Sequence, residues 1–526
     1  MLRAIGALYD RIIGKRLNNW MSVEAEQSAF QKEKSANIQI FIVRLLIELA
    51  KKLNITIYIA SVDLEKAFDK VRRYRLLCKL VAKGVGWVML EALKNIYLHT
   101  ACIITFYGCF SETFITRSGI RQGSASSVLL FILFMDGLFL YLREHCSTEE
   151  LIKHFHALVH ADDTIIISTS RDKFVTKCNH MLDYFSENSL KLNFGKSSYF
   201  IINPKANDRK TSLQLKQGIL KYKAKQDYLG VIVTDVGSLK QDILKFIREK
   251  RGNILIKFTN FCNKNFLAPL NIKLDVLDTC VTSSLLYASE TWSDNGKEVE
   301  ALYRTGLRTA LGVRTNVNNE VLYTESGRYP LKCRIQKQQL KFWLSLQTYT
   351  SKFPHSALKH LLDIAIEHDL PYVKWYQSLE STYRTPENCR RSLEAEFKGK
   401  WKTSFDNADN DVDSRLGTYH QVNPTLSAPE YINRIMFETD RLMLTRFRCG
   451  SHSLCIETGR YSNVPRDRRL CSCGRGTQTV LHCFTDCTTT RHLLQGKTYT
   501  NLNEVFNDEN VCVLLNKICK ELKVPI

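Results

Sequence analysis

Two apolar runs in the first third of the chain lead to acidic residues. The run at 55–60 is followed by Asp63, which predicts a buried β-strand with Asp63 at its exit. Farther along, largely apolar and β-branched residues flank an Ala-Asp-Asp sequence on both sides. This pattern predicts a β-hairpin with Asp162 and Asp163 at its tip. Carboxylates from separate strands are therefore expected to face one open cleft.

Helical spacing of apolar residues predicts three further segments. Apolar residues recur at helical intervals after Asp69, so Asp69 is predicted to cap the helix that they form. The apolar run 128–142 is shorter than the roughly 20 residues of a membrane span and contains Asp136, which favours a buried helix. From Leu239 onward the spacing is again helical, and basic residues alternate with apolar ones at 240–257. One face of this segment is predicted to pack while the other contacts phosphate groups; a merely solvated basic face is the alternative.

The predicted carboxylates suit a divalent cation. Asp63 and Asp162 would form a hard, oxygen-rich, anionic site, which fits Mg²⁺ held partly by substrate phosphates. Two such ions, about 4 Å apart, can support an in-line displacement at phosphorus. In this interpretation Asp63 and Asp162 are the essential ligands and Asp163 is a third. An Asp-Asp hairpin is by itself usually only a solvated turn, so the interpretation depends on the other motifs.

The charge of the chain favours a polyanionic partner. Its 526 residues include 74 Lys and Arg against 53 Asp and Glu, a formal net charge of +21 at pH 7. Binding to nucleic acid with strong salt dependence is the expected consequence. The length suggests about three or four domains.

The cysteines indicate a reducing environment. There are 17 of them, an odd number, scattered along a long chain, which predicts mostly free thiols. We therefore expect an intracellular protein of the nucleus, the cytoplasm or both.

One cysteine cluster has the spacing of a metal site. Its order is C-x-C-x8-H-x4-C, with soft thiolate and imidazole ligands suited to one structural, tetrahedral Zn²⁺. The residues are Cys471, Cys473, His482 and Cys487. Gly474 allows a sharp turn behind the second cysteine, and Cys483 is a competing ligand. Incidental cysteines are the alternative to a zinc knuckle.

Five short segments stand in a fixed order. They are DLEKAFD at 63–69, GIRQG at 119–123, HADD at 160–163, LKLNFGK at 190–196 and YLG at 228–230. They resemble the D-x-x-K-A-F-D, G-[IV]-R-Q-G, [YF]-A-D-D, G-L-x-L-N-x-x-K-[ST] and Y-L-G motifs of the reverse transcriptases of non-LTR (LINE-like) retrotransposons. The resemblance implies an RNA-directed DNA polymerase with two Mg²⁺ ions, an RNA template, a DNA primer or target, dNTPs and no membrane. It implies no particular protein partner.

The resemblance also implies roles for single residues. Phe68 matches the aromatic steric gate under the sugar of the incoming nucleotide, which disfavours a 2′-hydroxyl; a core phenylalanine is the alternative. Arg121, Gln122 and Gly123 match the loop that the template and the nascent base pair pass. Lys196 matches a proposed general acid for pyrophosphate departure, with a surface lysine as the alternative. The catalytic set implied by the family is Asp63, Asp162, Asp163 and Lys196.

The chain departs from the family pattern in three ways. His160 replaces the usual aromatic residue beside the aspartates, and Val128 stands where a proline usually follows Ser127. The fingers motifs that clamp the triphosphate do not precede the family-like stretch at 9–17, so we expect an amino-terminally truncated copy. At the other end, residues 447–461 resemble the segment that leads into the C-C-H-C zinc knuckle of LINE-type proteins.

The expected fold class is α+β. A right-hand polymerase palm, with a mixed or antiparallel sheet and helices, would be followed by a helical thumb and a small zinc-binding carboxy-terminal region. The expected divisions are a fingers remnant at 1–60, the palm at 61–235, the thumb and post-palm helices at 236–345, a connecting region at 346–445, the zinc-knuckle region at 446–495 and a tail at 496–526. Within the connecting region, the polar stretch 403–414 is predicted to be a loop.

Two other functions remain open at the level of sequence. A catalytically inactive nucleic-acid-binding remnant of such an element is favoured by the missing fingers motifs, whereas the intact aspartates favour the polymerase. An organellar maturase-like RNA-binding protein is the weaker alternative, because the C-C-H-C cluster argues against it.

Overall fold

The computed structural model describes residues 4–31, 34–98, 100–153, 155–205, 208, 210–408, 414–434 and 436–525. In chain order, the helices are α1 Ala4–Trp20, α2 Ala36–Lys52, α3 Ala67–Lys70, α4 Arg73–Ala82, α5 Trp87–Leu98, α6 Ala125–Met135, α7 Gly137–His145, α8 Arg171–Glu187, α9 Leu239–Arg251, α10 Ile254–Lys264, α11 Leu270–Val276, α12 Ser283–Leu285, α13 Lys297–Leu311, α14 Asn319–Ser326, α15 Leu331–Lys352, α16 Ala357–Glu367, α17 Pro371–Tyr383, α18 Pro386–Ala408, α19 Arg415–Val422, α20 Glu438–Arg448, α21 Cys455–Tyr461, α22 Val480–Thr485, α23 Leu502–Asn507 and α24 Val511–Glu521. A π-helix, Leu277–Thr282, joins α11 to α12.

The main β-sheet lies in the amino-terminal half. The strands are β1 Ile57–Val62, β2 Ala101–Cys102, β3 Thr105–Phe106, β4 Cys109–Phe110, β5 Phe114–Ile115, β6 Ala157–His160, β7 Asp163–Ser168, β8 Ser198–Ile202, β9 Leu213–Leu215, β10 Gly218–Tyr222, β11 Lys225–Tyr228 and β12 Val231–Thr234. The sheet has the order β6-β7-β1-β8-β10-β9. In it β8 and β10 pair in parallel, and the other neighbours are antiparallel. This mixed sheet with its helices confirms the α+β class.

The chain forms two compact units. The first comprises Met1–Phe246 and Phe342–Ser378, and the second comprises Ile247–Lys341 and Leu379–Ile526. All the strands named above belong to the first unit, whereas the described part of the second is built from helices and loops. The finer division into six regions stays a prediction.

Helix α6 is buried in the first unit. Its residues from Leu130 to Met135 are at most 1% exposed and share a core with Tyr58 of β1 and Phe174 of α8. The span Ala125–His145 is apolar and long enough to cross a membrane, but 72% of its apolar window is buried inside the protein, as in the core helix of a globular domain. The predicted buried helix is therefore confirmed, with its break between α6 and α7.

The segment 342–378 packs on α2 within the first unit. The ring of Phe41 lies 5.6 Å from that of Phe342, 5.3 Å from Tyr372 and 5.5 Å from Tyr376, measured between centroids. Aromatic pairs at these separations bury large apolar areas. Contacts between residues about 300 positions apart thus complete this unit.

The structure corrects two local predictions and confirms a third. Asp69 lies within α3, and α4 begins after Arg72, so Asp69 does not cap that helix. The helical prediction for the basic segment 240–257 is confirmed, with a break between α9 and α10 at 252–253. Of the stretch predicted as a loop, residues 403–408 belong to α18, and 409–413 lie outside the described residues.

Candidate active site and candidate metal centre

The end of β1 and the tip of the β6–β7 hairpin meet at one edge of the sheet. Val62 pairs with Thr164 between β1 and β7, and His160 pairs with Asp163 across the hairpin. Asp63 follows β1 directly, so it continues the strand toward the start of β7. The strand and the hairpin predicted from the sequence are both confirmed.

A cavity of about 870 Å³ opens at this edge. The predicted site residues that line it are Asp63, Phe68, Gln122, Gly123, Asp162 and Lys196. Segments far apart in sequence are thereby brought around one space. Asp163 and Arg121 are not among the lining residues. The guanidinium of Arg121 instead donates to the carbonyl oxygen of Ile96 at 2.7 Å and lies over the ring of Tyr97.

The loop at 191–197 holds Asp63 in place. The Oδ2 atom of Asp63 accepts a hydrogen bond from Asn193 Nδ2 at 3.2 Å, and Lys196 Nζ lies 3.9 Å from the same oxygen. The backbone N–H of Asp63 donates to Ser197 Oγ at 3.0 Å, and the backbone N–H of Asn193 donates to the Asp63 carbonyl at 2.9 Å. Asn193 was not among the predicted site residues, although it lies in the LKLNFGK segment.

The charges of Asp63 and Asp162 act on Asp163. Loss of solvation, followed by the negative charges of Asp162 and Asp63, raises the pKa of Asp163 above its ordinary value. Such mutual repulsion is the usual setting for a divalent cation, which neutralises a cluster of hard oxygen ligands. Asp63 and Asp162 line the cavity, and the charge of both acts on Asp163; their role as Mg²⁺ ligands stays a prediction.

His160 is engaged with the protein. Its Nδ1 atom lies 2.8 Å from the hydroxyl oxygen of Ser28. Burial lowers the pKa of His160, and the nearby Asp162 charge opposes this shift. The ring therefore favours its neutral form and adds no positive charge beside the aspartates.

Phe68 lies between the core and the cavity. Its ring stacks on Phe131 of α6, with centroids 4.8 Å apart and planes 20° apart. The same residue lines the cavity. Phe68 therefore packs on the core and also borders the cavity, and its role as a steric gate for the nucleotide stays a prediction.

The GIRQG loop packs closely on the segment after β1. Gly119 has φ +83°, and a side-chain Cβ there would lie 3.0 Å from the carbonyl oxygen of Asp69. Gln122 Nε2 also donates to Asp69 Oδ1 at 3.3 Å. Glycine is needed at 119 because both the backbone conformation and the close approach exclude a side chain.

Asp10 of α1 caps the helix that follows this loop. Its carboxylate accepts hydrogen bonds from the Ala125 N–H at 2.6 Å, from Ser124 Oγ at 2.6 Å and from Ser126 Oγ at 2.5 Å. Asp10 is 4% exposed. A negative charge at a helix amino terminus is stabilising. Sequence reasoning missed this role, because the cap and the helix are more than 100 residues apart.

The four predicted zinc ligands cluster in the second unit. The ligand atoms of Cys471, Cys473, His482 and Cys487 all lie within 4.8 Å of one another. Cys471 Sγ is 3.6 Å from Cys487 Sγ, and Cys473 Sγ is 3.3 Å from His482 Nε2. Two thiolates and a mixed sulfur-nitrogen pair at such separations form a group able to hold a metal ion, and their chemistry suits zinc.

Local structure explains how this group forms. The N–H of Cys471 donates to the Gly476 carbonyl at 2.8 Å, and Gly474 adopts φ +72°, so the loop reverses as predicted. The next ligand, His482, lies on α22. Cys483 is buried and lies outside the four-residue group, so the structure does not place it as a competing ligand.

Known proteins resemble the amino-terminal half most clearly. Residues 2–233 match the family model described as "Reverse transcriptase (RNA-dependent DNA polymerase)". The chain is 28% identical over 185 residues to the "Retrovirus-related Pol polyprotein from type-2 retrotransposable element R2DM" of Drosophila melanogaster, which covers 35% of this chain and 18% of that protein. It is 24% identical over 368 residues to the "Retrovirus-related Pol polyprotein from type-1 retrotransposable element R2" of Bradysia coprophila, covering 65% of this chain and 39% of that one. The chain thus spans less than half the length of these curated relatives.

Solved structures show a looser likeness. Apo telomerase from Candida Tropicalis superposes with a TM-score of 0.34 at 13% identity, over 74% of this chain and 59% of that chain. Telomerase from Candida albicans in complex with the TWJ fragment of telomeric RNA gives a TM-score of 0.32 at 11% identity, over 74% and 54%. The family match, by contrast, includes every residue of the carboxylate cavity.

Proposed function

We propose that this chain is the reverse transcriptase of a non-LTR retrotransposon, which extends a DNA 3′ end with dNTPs by copying an RNA template. The observation that carries the proposal is the cavity in which Asp63, Asp162, Phe68 and the Gln122 loop meet, within the segment that matches the reverse transcriptase family. The net charge of +21 supports nucleic acid partners.

The carboxylates supply the site for metal ions. Two Mg²⁺ ions bound by Asp63, Asp162 and Asp163 would activate the primer hydroxyl and stabilise the departing pyrophosphate. Asn193 and Ser197 keep Asp63 oriented, since they bind its side chain and its backbone. The protein contributes mainly position and charge.

Other side chains select and orient the substrate. Phe68 would act as the steric gate against a ribose 2′-hydroxyl, and its place in the cavity lining, packed on Phe131, supports this role. Lys196 would donate a proton to the leaving group, and its position in the cavity lining near Asp63 supports this role. Gly123 has φ +80° and no side chain, which would let the backbone of the template strand approach the loop closely.

We extend the proposal to the rest of the chain. The group of Cys471, Cys473, His482 and Cys487 would bind one Zn²⁺ as a knuckle within the region 446–495. The palm at 61–235 and the thumb at 236–345 would hold the template and primer. We place the protein inside the cell, where its thiols stay reduced.

The test is incorporation of dNTPs on a primed RNA template with Mg²⁺. The double variant Asp162→Ala and Asp163→Ala is expected to lose at least about a hundredfold in rate, because the ions contribute several kcal/mol of charge stabilisation. Asp363→Ala with Asp369→Ala removes the same charge from exposed positions at and just after α16 and is expected to keep parental activity.

Two results would contradict the polymerase. Parental activity retained in the Asp162 and Asp163 variant would mean that another protein performs the synthesis. No incorporation by the parent chain, together with tight RNA binding, would favour the inactive nucleic-acid-binding remnant instead.

A further inference from the structure

A second cavity lies in the second unit, built without any residue of the carboxylate site. It has a volume of about 530 Å³, which is in the range of sites that bind small organic ligands. Four helices line it: α13, α14, α15 and α18. Lys297, Glu300 and Arg304 lie on one face of α13, and Phe397 and Trp401 lie one turn apart on α18.

Aromatic rings form one wall of this cavity. Trp401 stacks on Tyr323, another lining residue, with centroids 5.9 Å apart and planes tilted by only 10°, and also on Tyr329, outside the lining, at 5.5 Å and 16°. Phe397 continues the wall, 6.2 Å from Trp401. Trp401 is 6% exposed, whereas Phe397 is partly exposed. The wall therefore offers Phe397 as a partly exposed ring packed against Trp401, with the ammonium group of Lys400 5.8 Å from its centroid.

Basic groups surround the same space. The lining includes Lys297, Arg304 and Lys332. Arg304 interacts with the Tyr323 side chain and with the carboxylate of Glu300, and the charge of Lys332 also acts on Glu396. Of the two lining carboxylates, Glu300 accepts hydrogen bonds from the Tyr323 hydroxyl and from the Leu331 N–H, so its oxygens are occupied. The ammonium groups of Lys297 and Lys332 in the lining supply the positive charge for a ligand.

We infer that this cavity binds one unpaired nucleotide, with the base packed on Phe397 and the phosphate near Lys297 and Lys332. Base-on-aromatic packing beside a basic track is how proteins bind single-stranded nucleic acid without reading its sequence. Asn319 and Glu320, also in the lining, offer hydrogen-bonding groups to the base edge. The site is independent of the polymerase proposal, because none of its residues belongs to the carboxylate cavity.

The first test is photo-crosslinking of the full chain to a ten-nucleotide single-stranded RNA carrying 5-bromouridine. We expect a cross-linked peptide that contains Phe397 and Trp401, and we expect the same peptide from the Asp162→Ala and Asp163→Ala variant. The same experiment with a DNA oligonucleotide, and with free AMP as a competitor, distinguishes RNA, DNA and a free nucleotide as the ligand of the cavity. Cross-links that map only elsewhere would overturn the inference.

The second test is binding by variants, measured by fluorescence anisotropy. Phe397→Leu keeps an apolar side chain but removes the flat ring, and we expect at least about a fivefold loss of affinity. Lys297→Ala with Lys332→Ala should weaken binding and reduce the magnitude of the slope of log K against log salt concentration by about 1 to 2. Lys517→Ala with Lys520→Ala removes the same charge from α24, outside the cavity. Equal losses in the two double variants would overturn the inference, provided that all variants melt at the parental temperature.

Discussion

Phe68 belongs both to the packed core and to the lining of the carboxylate cavity. Its ring packs on Phe131 and lines the carboxylate cavity. We predict that Phe68→Val lowers the discrimination between dNTPs and rNTPs at least about tenfold, since a smaller side chain leaves room for a 2′-hydroxyl. Single-nucleotide incorporation with dNTP and rNTP measures the ratio.

Phe110→Val, at an exposed position outside the cavity, is the matched control and should keep parental selectivity. A Phe68→Val enzyme that still rejects rNTPs as strongly as the parent would show that Phe68 is only a core residue.

His156 makes the first unit sensitive to acid. It is 5% exposed, and burial, followed by the nearby positive charge of Lys177, lowers its pKa from 6.5 to about 4, against the opposing charge of Glu149. The folded state thus favours the neutral ring, so stability is present above pH 6.5 and is lost as the pH falls from 6.5 through 4. The loss can reach about 3 kcal/mol.

We predict that His156→Phe flattens the pH dependence of unfolding between pH 6.5 and 4, measured with urea. His355→Phe, at an exposed position in the same unit, should leave that dependence unchanged. Parallel pH curves for the parent and His156→Phe would contradict the assignment.

At the scale of elements, the sequence predicted strands with a clear pattern of apolar residues. It did not predict which residue caps which helix. The run before Asp63 and the hairpin around Asp162 follow from apolar periodicity, because each strand is buried by the sheet to which it belongs. Asp69 was predicted to cap the following helix, but it lies within the short helix α3. The amino terminus of α6 is instead capped by Asp10. Asn193 was missed for a related reason, since its hydrogen bond to Asp63 exists only after folding.

The metal centre permits a prediction at this scale. We expect about one Zn²⁺ per chain by elemental analysis, and its loss in Cys471→Ser with Cys487→Ser, because two of four ligands are gone. A lower melting temperature of the second unit should accompany the loss. Cys280→Ser replaces an exposed thiol of the same unit and should retain the zinc.

Zinc-free parent protein, purified without chelators, would contradict the knuckle and leave the four residues as an ordinary buried cluster.

At the scale of the whole molecule, composition predicted a polyanionic partner but not the division of the chain. Residues 342–378 join the first unit through Phe342, Tyr372 and Tyr376. No local pattern could reveal these contacts, because α2, the helix of their partner Phe41, is apolar on nearly all sides, which predicts a buried helix but not what packs on it.

The charge leads to a prediction about salt. With a net charge of +21, affinity for a single-stranded RNA should fall at least about tenfold between 50 and 200 mM salt, because bound counterions are released from the phosphates. Fluorescence anisotropy at constant pH measures the slope of log K against log salt. Affinity that does not change with salt would contradict an electrostatic RNA-binding surface.

The cap on α6 also bears on how this sequence tolerates change. Asp10 accepts hydrogen bonds from Ser124 and Ser126, so the three side chains form one unit. In a randomised library selected for folding, we expect substitutions at these positions to be rejected singly and accepted mainly in compatible combinations. Among the folded variants, we therefore expect few that replace Asp10 and still keep both Ser124 and Ser126.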